Sequence, residues 1–65
     1  MAKQSLIRLP AVKARTGQSR SAIYAAMQRG EFPQSVPIGP RAVAWVESEI
    51  DAYIERQIEQ RSEAA

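Results

Sequence analysis

Thr16-Gly17-Gln18-Ser19-Arg20-Ser21-Ala22-Ile23-Tyr24 holds a helix end, a turn and a helix start within nine residues. Glycine enters left-handed backbone without a Cβ penalty, so Gly17 reads as the C-cap of a helix over Pro10–Thr16. Pro10 suits the first turn, where a missing N–H costs nothing. Val12 turns inward, while Lys13 and Arg15 sit where the helix dipole favours cations. Across the turn, Ser19 is a good N-cap for a second helix over Arg20–Arg29, with Gly30 as its stop. Ile23 and Met27 are four apart and share the core face. Arg20, Ser21, Tyr24 and Gln28 lie toward the other side. Two short helices joined by a glycine-containing turn predict a helix-turn-helix.

Reading outward, Glu31-Phe32-Pro33-Gln34 is a linker in which Phe32 anchors the turn to the core. Val36 and Ile38 alternate around Pro37, Gly39-Pro40 signals a reversal, and Val43 and Trp45 alternate beyond it. These two β-prone runs predict a small hairpin, or wing, with its first strand at an edge because proline cannot donate to a ladder. Trp45, the sole tryptophan and in phase with Val43, is expected in the core rather than stacked on a base. Ser48-Glu49-Ile50-Asp51 resembles a capping box with Asp in the Glu/Gln position. The helix it starts carries Ile50, Tyr53, Ile54 and Ile58 as one apolar stripe. Upstream, Leu6-Ile7-Arg8-Leu9 is an apolar lead-in. The expected architecture is mainly α with a small β-hairpin, in the order helix-helix-wing-helix. It forms one winged helix-turn-helix domain over 6–60, with flexible tails at 1–5 and 61–65.

Sixty-five residues allow one domain, and a chain this short buries only about 60% of its unfolded surface. Cysteine and histidine are both absent, which removes disulfides and structural zinc as staples and fits a reducing compartment. No run approaches the roughly 20 apolar residues of a membrane span, and residues 1–8 lack a signal-peptide core. A soluble cytoplasmic protein is expected, with no membrane partner. The net charge of +2 conceals an asymmetry. Lys3, Arg8, Lys13, Arg15, Arg20, Arg29 and Arg41 face a single acid, Glu31, in the first 41 residues. Thereafter Arg56 and Arg61 face Glu47, Glu49, Asp51, Glu55, Glu59 and Glu63. One half is suited to a polyanion and the other is not.

Enzyme chemistry is not expected, because the usual bases and nucleophiles are missing and there is no glycine-rich phosphate loop. Tyr24 beside Arg20 suggests a recombinase nucleophile, but that chemistry needs several groups converging in a cleft beyond this chain's size. No cofactor or small-molecule ligand is implied. In a helix-turn-helix the first turn of the second helix meets base edges in the major groove. Arg20 there pairs with guanine or clamps a phosphate, and Ser21 and Gln28 are shorter hydrogen-bonding groups. Tyr24 either packs on a sugar and donates to a phosphate or belongs partly to the core. Backbone N–H groups near Ser19 also attract phosphate, and Lys13 and Arg15 complete the expected contact set. Arg41 follows Gly39-Pro40 and projects from the wing tip, toward a minor groove or phosphates, or as an edge-strand gatekeeper. Asp51, Glu55, Glu59 and Glu63 form an acidic ridge that duplex DNA repels. It is either solvated or set against the basic half of a neighbouring copy on a tandem DNA site.

Leu9-Pro10, the run Thr16–Tyr24, Gly30-Glu31-Phe32-Pro33, Ile38–Trp45 and Ser48–Ile54 occur in an order and spacing that resemble the AlpA family of prophage regulators. The resemblance covers about residues 6–58. It implies a MerR-like or excisionase-like winged helix that regulates prophage or mobile-element genes such as an integrase. It also implies DNA contacts at Arg20, Ser21, Tyr24 and Arg41. Ala22 and Ala25 depart from the bulkier or charged residues common there in the family. Related small proteins are excisionases that bend attachment-site DNA, which is an alternative role. A rival from another class is a protein-binding module, docking on an integrase or a repressor through its C-terminal helix.

Overall fold

The computed structural model describes residues 4–64, with side chains of the last helix through Arg61. Its elements are β1 (Leu6–Ile7), α1 (Leu9–Thr16), α2 (Arg20–Gln28), β2 (Val36–Gly39), β3 (Ala42–Val46) and α3 (Glu47–Ala64). Both early helices end on a left-handed glycine. Gly17 (φ 71°) donates its N–H to Lys13 O at 2.8 Å, a single 5→1 closure. Gly30 (φ 74°) follows the cap residue Arg29, with Gly30 N–H on Met27 O at 3.1 Å and Glu31 N–H on Ala26 O at 2.9 Å. That double closure is a Schellman motif, and it satisfies carbonyls a helix end would otherwise leave free. Ser19 caps α2, its Oγ accepting from Ala22 N–H at 3.2 Å.

The hairpin pairs Val36 with Ala44 and Pro37 with Val43 in antiparallel register. An irregularity between Pro37 and Gly39 interrupts the alternation, leaving Ile38 45% exposed. Pro37 does lie on an edge strand, since the sheet order is β1-β3-β2. The lead-in Leu6-Ile7 proves to be the third strand, with Leu6 opposite Val46 and Ile7 opposite Trp45. Two residues are too few to show an alternation, so only the pairing with β3 reveals the strand.

The third helix starts differently from its expected capping box. Chain passes from β3 into α3 with no intervening loop, so Ser48 lies inside the first turn and its Oγ faces Gln4 Oε1 at 3.5 Å. The N–H of Glu47 instead continues the sheet pairing, donating to Ser5 O at 2.7 Å. Helix α3 continues to Ala64, through most of the segment read as a C-terminal tail. Residues 1–3 and 65 of the two tails lie outside the described residues.

Val12, Ile23, Ala26, Phe32, Trp45, Ile50 and Tyr53 form the core, one or two residues from each helix, the linker and β3. Phe32 anchors the linker as expected, its ring centroid 4.6 Å from that of Tyr53. Trp45 is fully buried and donates from Nε1 to Pro33 O at 3.1 Å. The apolar stripe of α3 enters this core through Ile50 and Tyr53 and fades at half-buried Ile54. Ile58 is 49% exposed.

Candidate nucleic-acid interface

The second helix is held from three sides, which leaves one face free. Ile23 and Ala26 enter the core. Tyr24 and Trp45 form a T-shaped pair, with centroids 6.2 Å apart and planes at 70°. At the far end Gln34 Nε2 donates to Met27 O at 2.9 Å. At the near end Gln18 Nε2 donates to the Tyr53 hydroxyl at 2.7 Å, tying the turn to α3. These links immobilise a short helix that propensity alone would leave frayed.

On the free face, Ser19, Arg20, Ser21 and Gln28 are all exposed. The Arg20 guanidinium lies over the Tyr24 ring, 5.1 Å from its centroid. Tyr24 therefore does two things: it packs against Trp45 and its face carries Arg20. A stacked guanidinium loses less conformational entropy on binding, because its direction is already restricted. The Ser19 hydroxyl oxygen is occupied as a cap, which leaves its O–H to donate elsewhere. Arg41 lies in the exposed turn between β2 and β3. Lys13 is exposed on α1 and has no ion-pair partner among the described residues.

Arg15 is placed elsewhere. Its guanidinium bridges two carboxylates at the start of α3, Glu47 Oε2 at 2.5 Å and Asp51 Oδ1 at 3.1 Å. Its charge is balanced within the chain, and one member of the acidic ridge is taken up in the process. Arg29 similarly pairs with Glu31 at 3.0 Å, though both side chains are more than half exposed. Of the basic half, Arg8, Lys13, Arg20 and Arg41 are exposed without such a partner among the described residues. The Gln18–Tyr53 and Trp45–Pro33 bonds are not legible in the sequence. Neither pair has a local signal, since their members are 35 and 12 residues apart.

No described helix is long and apolar enough to cross a membrane. A helix pair joined by a glycine turn and flanked by an antiparallel hairpin makes this a winged helix-turn-helix protein. Comparison with known families places it further. The sequence pattern described as "Prophage CP4-57 regulatory protein (AlpA)" matches residues 5–58, and the chain belongs to the AlpA family. A relative from Enterobacteria phage P4, named "Uncharacterized protein ORF88", is 39% identical, covering 86% of this chain. The match spans 64% of that relative's length. A relative from Escherichia coli strain K12, "DNA-binding transcriptional activator AlpA", is 33% identical, over 80% of this chain and 83% of its own.

Proposed function

We propose that this chain binds duplex DNA sequence-specifically and regulates transcription of prophage or mobile-element genes, an integrase gene among them. The observation that carries the reading is the free face of α2. Arg20 is stacked on Tyr24 with Ser21 beside it at the helix start, the part of a helix-turn-helix that meets base edges. Arg20 reads a base through its two-pronged guanidinium, Ser21 and Gln28 add shorter hydrogen bonds, and Arg41 on the wing meets the adjacent backbone. Lys13 neutralises phosphate. Arg15 serves instead to hold α1 against α3. The protein acts by binding rather than by catalysis, in the cytoplasm where the DNA is. The printed name of the Escherichia coli relative supports DNA binding and transcriptional control.

The test is a titration of duplex from upstream of the protein's own gene against random duplex, at two salt concentrations. The expected result is a preference for the upstream duplex. Arg20→Ala should reduce binding to it by ~1–3 kcal/mol, while Lys13→Ala weakens both duplexes about equally. Equal losses on both duplexes for both variants would refute the division of roles. No preference in the parent chain would remove the reading itself for that DNA.

A further inference from the structure

Helix α3 outruns the core it packs against. From Glu55 to Arg61 every side chain is exposed, and Ile58 projects with 49% of its surface in solvent. Beside it lies half-buried Ile54, on a shallow groove walled by Arg15, Thr16 and Gln18. Glu55 and Arg61 stand three residues before and three residues after Ile58. Three residues along a helix is nearly one turn, so both side chains flank Ile58 on one face, one above and one below. Neither has an ion-pair partner among the described residues. Glu55 also sits four residues from Glu59, a like-charge spacing that weakens an isolated helix.

We propose that this extension is a docking face for a second copy of the chain, packed antiparallel about a two-fold axis at Ile58. Under that symmetry Ile58 meets the partner's Ile58, and each residue ahead of it lies level with the equivalent residue behind it. Glu55 is then level with the partner's Arg61, and Arg61 with the partner's Glu55. A parallel pairing would set Glu55 against the partner's Glu55, so the charge order selects the antiparallel one. The basic face around Lys13 and Arg20 is the other surface an acidic helix could meet on a second copy, but it is the face assigned to DNA. The patch is far smaller than the ~800 Å² per partner of a standard interface. Association is therefore weak in free solution and strengthened when neighbouring DNA sites raise the local concentration. That consequence rests on the DNA-binding reading and favours inverted half-sites.

The absence of cysteine makes the test direct. Helices packed about 8–10 Å apart bring residues at the dyad within disulfide reach. Ile58→Cys protein, oxidised without DNA, should crosslink to a dimer at least ~10-fold faster than Gln60→Cys, which is exposed on another face of the same helix. In the Ile58→Cys background, Glu55→Arg or Arg61→Glu alone should slow the crosslink, and the two together should restore it. Equal rates at the two cysteine positions, or a double charge variant no faster than either single one, would overturn the proposal. Because no DNA is present, that failure touches the dimer alone, whereas failure of the duplex titration touches only the DNA reading.

Discussion

Single residues carry more than one duty in a core this thin. Tyr24 packs on Trp45 and supports Arg20. Gln18 shapes a turn and clamps α3. Arg15 illustrates what charge alone leaves open: composition counts it with the other cations of the basic half, and in the fold Glu47 and Asp51 are within ion-pair distance of it. Its side chain is 38% exposed, so these pairs contribute at most ~1 kcal/mol to stability. Their larger effect is on which cations remain available. Gly17 offers the clearest stability test at this scale. Nothing lies within 4 Å of where a Cβ would stand, so a methyl group there meets no clash with other residues. The cost of Gly17→Ala is then the left-handed backbone itself, about 1–2 kcal/mol, and should appear as a lower urea midpoint with an unchanged slope.

At the scale of elements, the three helices and the hairpin were legible because their signals are local. Glycine stops, a serine cap and apolar side chains four apart each act within one or two turns. The strand β1 was not legible, because Leu6-Ile7 becomes a strand only where Trp45 and Val46 lie alongside. The start of α3 was misplaced for a related reason. A capping box needs Ser48 at the N-cap, in non-helical backbone, but pairing of Glu47 with Ser5 carries the chain from sheet to helix without a loop and leaves Ser48 inside the first turn. Trp45 is where these elements converge, from β3 to α2 through Tyr24 and to the linker through Pro33. Trp45→Phe should cost ~1–3 kcal/mol, from lost volume and an unpaired Pro33 carbonyl. Denaturation followed by circular dichroism would measure it. A cost near zero would show that the linker does not depend on this anchor.

For the whole molecule, the arrangement separates charge along the chain. The exposed cations Arg8, Lys13, Arg20 and Arg41 lie in the first 41 residues, whereas on α3 the exposed Arg56 and Arg61 are outnumbered by six of the chain's seven acids. With roughly three or four phosphates neutralised per copy, the logarithm of affinity should fall with that of salt at a slope of about −2.7 to −3.6. A titration across several salt concentrations gives this slope directly. A value near zero would mean that phosphate contacts do not hold the complex. Replacing Glu47 and Asp51 together by Gln and Asn should steepen it by about one unit, as Arg15 becomes available.

Sequence by itself determined the helix-turn-helix, the wing, most of the core and the family, because caps, turn glycines and apolar spacing act over a few residues; Ala26 entered the core unannounced and Ile58 stayed outside it. The exposed positions of Arg20, Ser21 and Arg41 were legible for the same reason: they follow from where a helix begins or a hairpin turns. Only the tertiary structure decided which basic side chains remain free, where β1 pairs and how far α3 runs beyond its support. Most of those outcomes depend on partners 30 or more residues away, such as Arg15 with Glu47 or Leu6 with Val46. No local pattern encodes such a meeting; it exists only once the chain has closed on itself.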